Sequence, residues 1–174
     1  MFFKTLVLSF LLLVGSTSGN EITSIQPPTF VEKVKSDFRV ITPSSSDFNF
    51  EIKEPSKLDP GKTVNLLRIH YFDKSGTYIF GITQHKAKGY KTKQEVTNID
   101  IKSDKITTTT HEEDFTYNTK GDVVNVNGIE GRFEAWANNS KGGVLRWIQE
   151  GTYMEMDSAD LSKQDMIKIA ESMK

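Results

Sequence analysis

The chain has 174 residues, 36% hydrophobic and 26% charged, with 22 Lys plus Arg against 23 Asp plus Glu and no cysteine. That length fits one globular domain, and the near-balance of charge argues against bulk electrostatic attraction to nucleic acid. Without cysteine there can be no disulfide, thiol catalysis, Cys-ligated metal, iron–sulfur cluster or sulfur-linked lipid anchor.

The N-terminal MFFKTLVLSFLLLVGSTSG combines one positive residue, Lys4, with an apolar run over residues 6–14 and the small residues Gly15, Ser16, Thr17, Ser18 and Gly19. This layout predicts a secretory signal peptide over residues 1–19, because the apolar run is well short of the ~20 residues that span a bilayer. The protein is therefore expected to be secreted or extracytoplasmic, with no transmembrane helix in the mature chain; the alternative is an uncleaved N-terminal membrane anchor. Residues 20–28, NEITSIQPP, form a polar leader, and residues 29–174 are expected to form a single α+β domain.

Thr29 stands before Phe30, Val31, Val34 and Phe38 at helical spacing, which predicts a short helix over 29–37 capped by the threonine hydroxyl. An extended FRVI follows, stopped by Pro43. Phe48, Phe50 and Ile52 alternate with Asn49 and Glu51, the period of a half-buried strand. Residues 64–85, VNLLRIHYFDKSGTYIFGITQH, predict a hairpin with Lys74-Ser75 as a two-residue tip. That register sets Leu67 against Ile82, Ile69 against Phe80 and Tyr71 against Tyr78 on the core face, with Arg68 against Gly81 and His70 against Ile79 on the wetter one.

Residues 86–120 are polar and rich in Lys and Thr. They predict one or two long edge strands or an excursion, the natural place for loop-borne function. Beyond them Asn127-Gly128 and Glu150-Gly151 are expected turns, and Gly131 marks a bulge or a close approach. The resulting antiparallel meander sets Trp147 against Met154 and Leu145 against Met156. Phe133 and Ala135 align with Trp147 and Leu145, and Glu134 and Glu155 flank Arg146.

Ser162 then caps a final helix, with Asp165 as capping-box partner and Leu161 positioned to staple onto Met166. Its apolar stripe, Met166, Ile167, Ile169, Ala170 and Met173, needs a partner surface, since so short a helix persists only when docked. Trp147, Met154 and Met156 are expected to lie beneath Met166, Ile169 and Ala170. The expected fold is thus α+β, an antiparallel sheet of six to eight strands with an N-terminal and a C-terminal helix packed on it.

Reactive constellations are sparse. HEEDF, residues 111–115, begins like a zinc-protease helix, but Phe115 occupies the place of the second His, which predicts a solvated acidic loop. His70 and His85 lack a third ligand and are expected to be ordinary sheet-surface residues. Asp157 and Asp160 lack the dense spacing of a calcium loop. No nucleophile elbow, phosphate loop or dinucleotide fingerprint occurs, so no catalytic residue, metal or cofactor is expected, and the protein is not expected to be an enzyme.

Two surfaces are candidates for binding. Trp136, Val144, Ile148 and Tyr153 share the second face of the meander, which is either covered by the N-terminal helix and FRVI or exposed to a partner. Lys86, Lys88, Lys91 and Lys93 interleave with Tyr90 as a local basic patch, suited to an anionic polymer or to protecting a sheet edge.

VNVNGIEGRFEAW, followed by LRWIQEGTYMEMDSADLSKQDMIKIAESMK, resembles the C-terminal signature of an uncharacterised domain family of Gram-positive bacterial extracytoplasmic proteins. The matching positions are Gly128, Gly131, Leu145, Trp147, Gly151, Tyr153, Leu161, Ser162, Ile167, Ala170, Glu171 and Ser172. The resemblance implies membrane-tethered or secreted modules and brings no catalytic residue with it. With export, it leads us to expect a non-catalytic binding module of the bacterial envelope engaging an unknown protein or envelope component. The alternative is an envelope lipid or lipoprotein carrier with a cupped antiparallel sheet.

Overall fold

The computed structural model describes residues 34–44, 51–53, 62–137 and 140–174. The predicted signal peptide, the polar leader, residues 29–33 of the predicted N-terminal helix and the strand positions Phe48 and Phe50 lie outside the described residues. Among the described residues, nine strands and one helix follow in order: β1 (Glu51–Lys53), β2 (Leu66–Phe72), β3 (Tyr78–Lys86), β4 (Lys91–Asp100), β5 (Lys105–Asp114), β6 (Asp122–Val126), β7 (Ile129–Ala135), β8 (Gly143–Gln149), β9 (Thr152–Ser158) and α1 (Lys163–Glu171). Seven strands form one antiparallel sheet in the order β1-β2-β3-β9-β8-β7-β6, and β4 with β5 forms a separate two-stranded ribbon. Among the described residues no helix is long and apolar enough to cross a membrane.

The meander follows its turn chemistry. Asn127 and Gly128 have φ of 52° and 85°, and Glu150 and Gly151 have φ of 50° and 77°. Two consecutive positive φ values twist the chain as a right-handed strand pair requires. Trp147 faces Met154, Leu145 faces Met156 and Arg146 faces Glu155, as expected.

β7 and β8, however, pair two residues away from the expected register. Gly131 stands opposite Trp147, Phe133 opposite Leu145 and Ala135 opposite Gly143, so Ala135 is exposed rather than in the core. The cause is space. A Cβ on Gly131 would lie 3.0 Å from the Arg146 carbonyl oxygen and 3.5 Å from Trp147 Cβ, and the bare glycine lets the two backbones close beside the buried indole.

The β2–β3 hairpin differs in the same way. Its connection is residues 73–77 rather than a two-residue tip, because Asp73 Oδ1 accepts from the Ser75 and Thr77 amides at 2.8 and 2.9 Å and organises the loop around itself. A bulge between Tyr71 and Phe72 completes the shift, so Leu67 faces Gln84, Ile69 faces Ile82, Tyr71 faces Phe80, and His70 faces Gly81. Leu67, Ile69, Tyr71, Phe80 and Ile82 keep the core face, since a two-residue slip leaves a side chain on its own side; Tyr78, expected on that face opposite Tyr71, instead pairs with Phe72 beyond the bulge and turns to the reverse face, where its hydroxyl meets Asp157.

That face is roofed by α1 and by residues 38–44. Ser162 caps α1 as expected, accepting from the Asp165 amide at 3.2 Å while its hydroxyl donates to the Asp165 carboxylate at 2.6 Å. Met166, Ile169 and Ala170 join Trp147, Met154 and Met156 in one buried cluster, and Leu161 and Ile167 pack against it.

The N-terminal helix is not borne out where residues are described. Residues 34–37 form no helix; instead Ser36 makes a parallel bridge to Val64. The Val64 amide donates to the Lys35 carbonyl at 2.7 Å, so the entry to β2 takes the backbone bond that a helix would have used. FRVI then runs across the core as an extended strap. Ile41 is fully buried, its amide donates to Gln84 Oε1 at 2.9 Å, and its carbonyl accepts from Gln84 Nε2 at 2.8 Å. Thr42 and Lys174 exchange backbone hydrogen bonds of 3.2 and 3.1 Å, tying the strap to the chain beyond α1.

Gln84 is thus a buried amide that imitates a neighbouring strand. Gln84→Ala leaves a buried N–H and C=O of Ile41 unpaired, at about 1–3 kcal/mol each. The urea midpoint should fall with an unchanged m-value; an unchanged midpoint would mean that Gln84 does not hold the strap.

Candidate functional site

The face of the sheet away from α1 carries two arginine-centred groups and the foot of the ribbon. Arg68, on β2, reaches over β3 to β9. Its Nη2 donates to Asp157 Oδ1 at 2.7 Å, Nη1 to Thr83 Oγ1 at 2.9 Å, and Nε to His70 Nε2 at 3.0 Å. Gly81 makes the crossing possible, since a Cβ there would sit 2.7 Å from both Arg68 Nη2 and the Tyr78 hydroxyl. Tyr78 donates to Asp157 Oδ2 at 3.1 Å. Burial first, and then the Asp157 charge, push its phenol pKa up to about 12.

The second group lies deeper. Arg146, only 8% exposed, donates through Nη1 to Glu134 Oε2 at 2.9 Å and through Nε to Glu155 Oε2 at 3.0 Å. Burial works to lower the guanidinium pKa, but the hydrogen bonds it donates to Glu134 and Glu155 outweigh that and hold it raised. Tyr153 also donates to Glu155 Oε2, at 2.8 Å. Its phenol is pushed upward by burial and then by that carboxylate. Such a group holds a fixed charge arrangement and offers no proton near neutral pH, a property of a scaffold rather than of an acid–base centre.

The ribbon joins the sheet through an aromatic foot. The His85 imidazole stacks on Tyr90 with centroids 3.9 Å apart and lies 4.5 Å from Phe115 and 4.7 Å from Tyr153. Tyr117 packs edge-on to Tyr153 and donates to the Arg146 carbonyl at 3.0 Å. The Phe115 amide closes the foot by donating to the Tyr90 carbonyl at 2.9 Å.

This geometry redistributes the expected surface residues. Val144 is half-buried and Tyr153 is buried, Tyr153 lying beneath Phe115 and His85. Trp136 and Ile148 are exposed, at 38% and 37%. The cover over Tyr153 comes from the ribbon foot rather than from FRVI, which lies on the core side with Gln84. His85 is likewise not a surface histidine, since only 3% of it is exposed.

All four patch lysines are exposed, yet two have acidic partners. Lys86 lies 3.9 Å from Asp37 and Lys93 lies 3.5 Å from Glu112. Residues 111–114, expected as an acidic loop, form the end of β5. Among the described residues no group of His, Asp and Glu is placed to hold a metal ion.

Above the foot, β4 and β5 pair continuously from Lys91↔Asp114 to Asp100↔Lys105. Ten residues per strand make an arm of about 30 Å. Every residue of β5 is exposed, as are Ile99 (65%), Ile101 (86%) and Ile106 (67%) at the far end. The polar composition of residues 86–120 marks the excursion but not this apolar tip. The register pair Ile99↔Ile106 would have shown it, had the pairing been known.

The description "domain of unknown function (DUF4367)" matches residues 62–173, the stretch from just before β2 to just beyond α1, ribbon included. No curated protein and no solved structure matches the chain.

Burial lowers the His85 pKa, so the imidazole is neutral within the foot at pH 7. Because the folded value lies below the unfolded ~6.5, the foot has its full stability above about pH 6.5 and loses it as the pH falls below that value. An NMR titration of the His85 ring alongside near-ultraviolet circular dichroism should show the aromatic signal collapsing on acidification. His85→Phe should flatten the response; an undiminished acid transition in that variant would assign it to another group.

Proposed function

The chain belongs to the DUF4367 family, a domain of unknown function, and from the geometry of that domain we propose a secreted or cell-surface binding module of the bacterial envelope that works without catalysis. The ribbon carries this reading. Ile99, Ile101 and Ile106 sit at the end of an arm that contributes nothing to the buried cluster. Exposed aliphatic side chains gathered at one projection suit contact with another molecule. Trp136 and Ile148 offer a second contact on the sheet, and Lys88 and Lys91 near the ribbon foot suit an anionic envelope component.

A lipid carrier with a cupped sheet is the second reading. It has less support because the apolar face is occupied by α1 and Ile41, with Leu145, Trp147, Met154 and Met156 fully buried beneath them. Carriage would require that roof to lift.

Three measurements test these readings. Mass analysis of protein recovered from the medium or cell surface should give a mature N-terminus near residue 20; an intact N-terminus would favour the anchor. Ile101→Asp with Ile106→Asp should abolish capture of the envelope partner while leaving the melting temperature unchanged. A lipid released from the natively purified protein would favour the carrier instead.

A further inference from the structure

The outer edge of β5 is built to pair with another strand. A two-stranded ribbon is marginal in water, and proteins ordinarily blunt long free edges with lysine, proline or a bulge. β4 carries Lys91 and Lys93. β5 has no charge and no proline over residues 106–111, ITTTTH, and its pairing with β4 is unbroken by any bulge. All ten β5 residues are exposed, and the β-branched threonines are good strand formers.

Charge at the two ends of β5 identifies the partner. The strand begins with Lys105 and finishes with Glu112, Glu113 and Asp114. A strand basic at one end and acidic at the other complements its own antiparallel copy. Two copies related by a two-fold axis through the sheet must pair residues of equal parity, because the rotation keeps each sheet face on its own side. Centring the axis on Thr109 sets Thr108 against Thr110, Thr107 against His111, and Lys105 against Glu113 at both ends. Centring it on Thr108 sets Lys105 against His111, and centring it on Thr110 carries Lys105 beyond the end of β5 to Phe115. Only the Thr109 register opposes Lys105 to a carboxylate.

We propose that two copies of this chain associate through β5, forming a four-stranded β4-β5-β5-β4 bridge with Thr109 on the two-fold axis. The two sheets then stand at opposite ends of the bridge. Edge pairing leaves both faces of each ribbon open, so the contact is independent of what the tip or the reverse face binds. Purified protein is sufficient to test it.

The full chain should sediment as a dimer that dissociates on dilution. Thr109→Lys sets two ammonium groups face to face and should weaken the dimer about tenfold or more, with the melt of the main sheet unchanged. Thr109→Cys should form an interchain disulfide under mild oxidation, helped by the absence of any native cysteine. Thr107→Cys should not, because its copy lies four residues along the partner strand, at about 13 Å, beyond disulfide reach. A wild-type monomer at every concentration, a dimer indifferent to Thr109→Lys, or equal cross-linking from both cysteine positions would each overturn the proposal.

Discussion

The pairing of β3 with β9, from Gly81↔Asp157 to Lys86↔Thr152, is the contact on which the rest of the architecture rests. It welds the N-terminal strands β1, β2 and β3 to the meander β6 to β9, two antiparallel units separated in sequence by the whole ribbon. Closing so long a loop costs entropy that only slowly increases with length, and the burial that follows offsets it. Ile82 and Gln84 come beside Met156 and Met154, completing a floor broad enough for α1 and the strap. Side chains reinforce the seam and fasten the strap beside it. Ser158 Oγ donates to the Ile79 carbonyl at 2.7 Å, and Thr152 Oγ1 donates to the Arg39 carbonyl at 2.9 Å.

The same seam organises the opposite face. It brings Asp157 under Arg68 and Tyr153 beside His85, so both the arginine crossing and the aromatic foot require β9 in its place. The two arginine groups differ in what they can contribute. Arg68 is well exposed, and its partners share it with solvent, so its ion pair adds little to stability. Arg146 is enclosed and doubly paired, so removing Glu134 or Glu155 would leave an under-compensated buried charge, a far more costly defect.

The core and the ribbon are therefore spatially separate. The core cluster draws on the main sheet, α1 and the strap, and the ribbon supplies none of it. Its sequence is free of core constraints, and its exposed isoleucines and unguarded edge have no role in holding the domain together. The main sheet carries the ribbon as a projecting arm through the aromatic foot, a layout that the proposed binding role would use as loops on a fixed scaffold are used.

Local chemistry was legible in the residues themselves. The faces of β2, β8 and β9, the face of β3 from Phe80 onward, the Asn127-Gly128 and Glu150-Gly151 turns, the β8–β9 register and the Ser162 cap all follow from period-two alternation, positive-φ residue types and capping geometry. These act over a few residues, and they anticipated the burial of Phe133, Leu145, Trp147, Met154 and Met156 and of Met166, Ile169 and Ala170, though not the exposure of Ala135. Register was legible only up to multiples of two, since such slips keep each side chain on its face; Gly131 beside Trp147, and Asp73 organising its loop, decided between them. Of the candidate site, the shared face of Trp136, Val144, Ile148 and Tyr153 was legible but its cover was not: Trp136 and Ile148 stand exposed, and the burial of Tyr153 and His85 was invisible because the residues that cover them, Phe115 and Tyr90, come from the ribbon foot. The extended path of residues 34–44 likewise depended on partners at Val64, Gln84 and Lys174, contacts across the fold that no local pattern encodes. Alternation and turn chemistry are properties of neighbours along the chain; the β3–β9 seam, the strap and the foot are properties of neighbours in space, and only the packed structure brings those together.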